Sequence, residues 1–197
     1  MKEKVWLVRP LPHGTNHMME FLNHNFIAVG YPVGESLENF NYEEIRKILE
    51  EHKYVEGIGN VNTFVNGMNR GDIVVVPADN KKDVYFAEII GDYTYKKEFD
   101  EDVAGSGYPH HRQVQWFFDK SPLLRSELPQ DLQNSMRYPG AIADFTKYRE
   151  IIKKILRGNK VLNIQSLEEK ALKVIEELLD SEDSILRLKA AEIILKR

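Results

Sequence analysis

The sequence predicts an α+β fold: a barrel-like domain of five or six strands with helices inserted between them, followed by a helical extension. Three observations point there. Strand-like and helix-like periods follow one another as β, α, β, α, α, β, β, β, α, without the regular βαβ spacing of a doubly wound sheet. Hydrophobic residues make up 42% of the 197 and charged residues 29%, the balance of a chain that folds around a core. After about residue 145 the composition turns to helix formers, which sets a boundary between a domain at 1–145 and an extension at 146–197.

Alternation and β-branched content place strands at Val5 to Arg9, Phe26 to Tyr31, Asp72 to Pro77, Val84 to Ile90 running on through Tyr93 and Tyr95, and Gln113 to Phe118. A short helix fits Met18 to Leu22. Asn41 followed by Glu44 has capping-box spacing, and Tyr42, Ile45, Ile48 and Leu49 share a face of the helix it opens, which ends near His52. Val61, Phe64, Val65 and Met68 form the stripe of a second helix, which Gly71 and Asp72 turn into "IVVV". Another short helix fits Glu127 to Met136. In the extension, Ser166 and Glu169 form a second capping box for "SLEEKALKVIEELL", "SEDS" ends that helix, and "ILRLKAAEIILKR" gives its partner in a hairpin like one HEAT-type unit.

Charge and composition exclude several functions. The net charge of −4 divides into 15 Lys/Arg against 22 Asp/Glu in residues 1–145 and 12 against 9 in 146–197, so the first part is no polycationic coat for DNA. Nucleic acid would need a local site. The chain has no cysteine, hence no disulfide, thiolate nucleophile or Cys-based metal site, which fits the cytoplasm. No apolar run reaches the ~18 residues of a membrane span, so a membrane partner is not expected.

The sequence carries no G-x-S-x-G elbow and no phosphate-binding G-x-x-x-x-G-K-[ST] loop, and no enzyme activity is expected of it. His110 and His111 are adjacent, and strand alternation sends them to opposite faces, so they do not share an ion. His13 and His17 have i,i+4 spacing but lack the glutamate of a metalloprotease helix. No metal and no cofactor is expected. Aromatic residues are the remaining signal. Trp6, Tyr31 and Trp116 would form a stacking slot for a flat ring if their strands were neighbours in a small barrel; the alternative is plain core packing.

Taken together, "KVWLVRP", "FIAVGYP", "VNTFVNGMNRGDIVVVP", "VYFAEIIGDYTY" and "HHRQVQWF" resemble the EVE branch of the PUA-like superfamily, relatives of YTH domains. They are most similar to the amino-terminal DNA-reading domains of McrB- and Mrr-type restriction proteins. The resemblance runs over about residues 4–146, with His110, Arg112, Val114 and Trp116 standing where that group has its last-strand signature. Two departures stand out: Val8-Arg9-Pro10 replaces a Ser-Glu-Pro triplet, and Tyr31 stands where tryptophan is frequent.

The resemblance implies a pseudo-β-barrel that flips a methylated adenine or cytosine of DNA into a cage of Trp6, Tyr31 and Trp116. Asn60, Asn62 and Thr63 are the candidate readers of the base edge. Arg9, Arg70, Lys81, Lys82, His110 and Arg112 are the candidate phosphate contacts. The implied role is the specificity part of a type IV restriction or other anti-phage defence system, with cleavage or NTP hydrolysis on a partner. Two alternatives remain: a YTH-like RNA-binding module, or a partner-binding scaffold without a base pocket.

Overall fold

The computed structural model describes residues 3–103 and 105–195. Its first compact unit, Met1–Ile152, is α+β and carries one mixed seven-stranded sheet. The strands are β1 (Val5–Val8), β2 (Phe26–Val29), β3 (Ile73–Pro77), β4 (Asp83–Tyr95), β5 (His110–Trp116), β6 (Leu123–Leu124) and β7 (Ile142–Asp144), and the path across the sheet is β2-β5-β4-β3-β1-β7, with β6 added to β4. β1 and β3 run parallel and every other pair is antiparallel. The sheet does not close: β2 and β7 are its two free ends.

The order follows from hydrophobicity. β1 ("VWLV") and β3 ("IVVVP") are buried at every position, as strands in the middle of a covered sheet must be. β4 is long enough to pair with β3 through Ile73↔Glu88 to Pro77↔Val84 and with β5 along most of its length. Its register to β5 shifts between Ile89 and Tyr93, a bulge at Gly91 that bends the strand.

Helices α1 (Met18–His24), α2 (Tyr42–Glu51), α3 (Ile58–Asn62) and α4 (Gln130–Ser135) occupy the connections. α2 opens with the expected capping box: Asn41 Oδ1 accepts from the amides of Glu43 and Glu44, and Glu44 accepts from the Asn41 amide at 2.8 Å. The stripe from Val61 to Met68 is not one regular helix. After α3 the chain widens into a π turn at Thr63–Gly67, closed by Met68 N–H donating to the Thr63 carbonyl at 3.0 Å.

The second unit, Lys153–Arg197, holds most of α5 (Arg149–Leu179) and all of α6 (Ser184–Leu195). α5 runs without interruption through Ser166, where the capping box predicted a helix start; the side chains of Ser166 and Glu169 lie outside the described residues. No helix among the described residues is long and apolar enough to cross a membrane.

Candidate functional site

The open edges of the sheet face one another across a cavity of about 470 Å³. One wall is Ala28 and Val29 of β2 with Gly30 and Tyr31 beyond it, and the other is Pro139, Gly140 and Ala141 leading into β7. The loop after β1 adds Arg9, Leu11 and His13, the α2–α3 connection adds Tyr54 and Glu56, and α3 adds Asn60. Asn60 spans the seam: its carboxamide donates to the Tyr31 hydroxyl at 3.3 Å and accepts from the amide of Ile142 at 3.3 Å. One side chain therefore ties the two unpaired edges together where a backbone ladder is missing.

Tyr31 is held with unusual care for a surface-facing ring. Its φ is +75°, a left-handed conformation that a bulky side chain adopts only when its surroundings enforce it. The enforcement is a relay: the Leu37 amide donates to Tyr93 Oη at 3.3 Å, Tyr93 Oη–H donates to His110 Nδ1 at 2.9 Å, and His110 Nε2–H donates to the Tyr31 carbonyl at 3.2 Å. His110 is fully buried, and burial lowers its pKa to about 4, so the imidazole stays neutral in the single tautomer this relay needs. Gly57 leaves room for the ring, since a Cβ there would sit 2.5 Å from the Tyr31 ring carbons.

Tyr54 meets Tyr31 edge to face, with ring centroids 5.7 Å apart and planes at 72°. Its hydroxyl donates to Asp102 at 3.1 Å; burial first, then this carboxylate, pushes its pKa up to about 12. His13 donates from Nε2 to the Gly107 carbonyl at 2.9 Å and stands 3.6 Å from Asp102 through Nδ1, so the same carboxylate meets both rings. The result is a corner of two mutually steep tyrosine rings with an imidazole, a fixed carboxamide and the Glu56 carboxylate along the cavity wall. Such a set offers stacking surface and a polar edge to a flat heterocycle.

A second hollow of about 780 Å³ shares Arg9 with the first. It is lined by Arg9, Lys81, Lys82, Arg125 and Arg137, with no acidic residue in the lining. Arg9 donates from Nη2 to the Met136 carbonyl at 2.8 Å and from Nε to the Tyr138 carbonyl at 3.1 Å. Arg125 donates from Nη2 to the Gln133 carbonyl at 2.8 Å. Both guanidinium pKa values are lowered by burial, and Arg125 also by the charges of Arg137 and Arg9.

The proposed cage does not assemble. Trp6 and Trp116 are 5% and 7% exposed, and neither lines the cavity that Tyr31 borders. The reason is topological: β4 and β3 lie between β5 and β1, so the two indoles are not on neighbouring strands. Trp6 Nε1 donates to Asp72 Oδ2 at 2.8 Å, alongside the amides of Lys4 and Asn69, and Trp116 Nε1 donates to the Phe21 carbonyl at 3.3 Å. Both are core residues.

Three of the six phosphate candidates are also committed elsewhere. Arg112 is 3% exposed and donates from Nε to the Phe64 carbonyl and from Nη2 to the Val65 carbonyl, each at 2.8 Å, holding the π turn whose carbonyls the wide helix leaves free. His110 is buried and neutral. Arg70 pairs with Asp92 through two bonds of 3.0 and 2.7 Å at the surface. Arg9, Lys81 and Lys82 do come together, in the basic hollow. Of the edge readers, Asn60 reaches the cavity, whereas Asn62 accepts from Asn66 at 3.0 Å and Thr63 belongs to the π turn; neither lines it. Sequence reading passed over Tyr54, Arg125 and Arg137, whose only signal is residue type, and weighed His13 only as a metal ligand beside His17.

No curated protein matches the chain. A family model described as "Domain of unknown function (DUF8426)" matches residues 6–137, from β1 through α4 and thus both hollows up to Arg137. The chain belongs to this DUF8426 family.

Proposed function

We propose that residues 1–145 read a modified base in nucleic acid, DNA in the first place, by taking the flipped base into the cavity at the open seam of the sheet. The observation that carries this reading is the aromatic wall of the cavity: Tyr31, braced edge to face by Tyr54 with ring centroids 5.7 Å apart, beside Asn60 in a cavity of about 470 Å³. That volume lies within the ~300–1,000 Å³ of small-ligand sites. Stacking on one such ring contributes ~1–3 kcal/mol and tolerates any base, so discrimination falls to the polar edge, here Asn60 and nearby backbone groups. In this reading Tyr31, Tyr54 and His13 replace the Trp-based cage.

The broader proposal follows the resemblance. The domain is a PUA-like, EVE-type pseudo-barrel acting as the cytoplasmic specificity part of a restriction or other anti-phage defence system. α5 and α6 form a helical hairpin that docks the nuclease or NTPase partner, and the domain itself binds without making or breaking bonds. The test is fluorescence anisotropy with labelled oligonucleotides carrying N6-methyladenine, 5-methylcytosine, 5-hydroxymethylcytosine or no modification, as duplex and single-stranded DNA and as RNA. One modified strand should bind at least tenfold better than its plain twin, and Y31A and Y54A should each remove most of that preference. Equal binding of every modified and plain pair sinks the proposal, and a preference confined to RNA moves it to a YTH-like reader.

A further inference from the structure

The basic hollow is the least expected surface of an acidic domain. Five cations line it with no acidic residue among them, although residues 1–145 hold 22 Asp/Glu against 15 Lys/Arg. Among the described residues, none of Arg9, Lys81, Lys82, Arg125 and Arg137 has a carboxylate at ion-pair distance; the arginine ion pairs lie at Arg46, Arg70 and Arg149. Like charges are gathered here and left without counter-charges, an arrangement that costs free energy unless an anion occupies it.

The gathering is built by specific contacts. β6 pairs with β4 through Asp83↔Leu124 and Val84↔Leu123, and the Arg125 amide donates to the Lys82 carbonyl at 2.7 Å, so the Lys81-Lys82 turn and Arg125 form one rim. The opposite rim is α4 and the turn after it. Arg125 is drawn to it through the Gln133 carbonyl, and Gln133 Nε2 is fixed by the carbonyls of Ser126 and Leu128 at 3.2 and 2.6 Å. Backbone carbonyls, rather than carboxylates, orient Arg9 and Arg125, so their charge is positioned without being neutralised. Among the described residues the Arg125 guanidinium makes one hydrogen bond, through one N–H of Nη2, so one of its two forks is left for a phosphate.

We propose that this hollow is a phosphodiester track: it holds the backbone of the strand whose base enters the seam cavity, with Arg125, Arg137, Lys81 and Lys82 on consecutive phosphates and Arg9 at the junction. The inference rests on the nucleic-acid reading above and deepens it. Arg9 lines both hollows, so a strand leaving the seam passes directly onto the cations. Four of these residues stand on turns rather than in the core, Lys81 and Lys82 before β4, Arg125 just after β6 and Arg137 just after α4, which makes backbone binding independent of which base is read.

The experiment measures the salt dependence of binding for the full chain, using a labelled 12-nucleotide single strand and the same sequence as a duplex, each with and without the modification. Two variants are compared: R125Q/R137Q, and K81Q/K82Q, whose exposed lysines make no structural bonds through their ammonium groups. Each lost phosphate contact should lower the magnitude of the log K against log [salt] slope by ~0.9 on duplex and ~0.7 on single strand. Both variants should therefore flatten the slope by about one to two units and weaken binding several-fold, equally for modified and plain strands. An unchanged slope in both variants overturns the track, and so does the absence of any salt-dependent binding. If wild type shows no modified-base preference while the variants still flatten the slope, the base-reading proposal fails and the track stands.

Discussion

At the residue scale, the adjacent histidines behave as two separate structural devices. His110 orients the Tyr31 backbone, and His111 lies between Phe26 and Phe99, with ring centroids at 4.3 and 5.4 Å, donating from Nε2 to the Tyr108 carbonyl at 2.8 Å. Burial lowers the pKa of each to about 4 from an ordinary 6.5. A folded-state pKa below the unfolded value means that the unfolded chain binds more protons between about pH 6.5 and 4. Stability is then complete above pH 6.5 and falls as the pH drops through that window, by on the order of 3 kcal/mol for each histidine. Urea unfolding at pH 7.5, 6 and 5 should show this decline, and H111F, which keeps the ring stack, should flatten the slope.

At the element scale, β4 determines the curvature that brings the two edges of the sheet to one cavity. Its bulge lies at Gly91, where a Cβ would meet the Gln113 Cβ at 2.8 Å. Contact that short forces β5 away from β4, and overpacking of this kind costs ~1–3 kcal/mol. G91A should lower the unfolding midpoint accordingly in a thermal melt. It should also weaken ligand binding, because Arg112 on β5 donates to the Phe64 and Val65 carbonyls and so links the strand to the segment that carries Asn60. The strands and the α2 capping box were legible from alternation and from the Asn41–Glu44 spacing. β6 and β7, at two and three residues, were too short to show a period, and β7 is one of the two free edges of the sheet.

At the scale of the whole molecule, the first unit closes its own core. Phe145 and Tyr148 are buried beyond β7, Ile152 is fully buried, and Arg149 Nη1 donates to the Glu3 carbonyl at 3.3 Å. A fragment ending at Ile152 should therefore unfold in one cooperative transition by circular dichroism, with a midpoint within a few degrees of the full chain, and should keep the binding of the full chain. The helices beyond it present Val174, Ile185, Leu188, Ile193 and Leu195 to solvent.

The sequence by itself determined the α+β class, most strands, the α2 capping box and the separation of the two histidines, because each depends on local period and on which residues satisfy nearby backbone groups. Tertiary structure alone decided which aromatic and cationic residues are available. Trp6, Trp116 and Arg112 have the types expected of a binding site, yet strand order places them inside, where their N–H groups meet internal acceptors. Tyr54, Arg125 and Arg137 sit in segments with no pattern of their own, and come to the two hollows only through contacts between residues far apart in the chain. Alternation gives the face a side chain takes, but the sheet path decides whether that face looks onto the core or onto the seam.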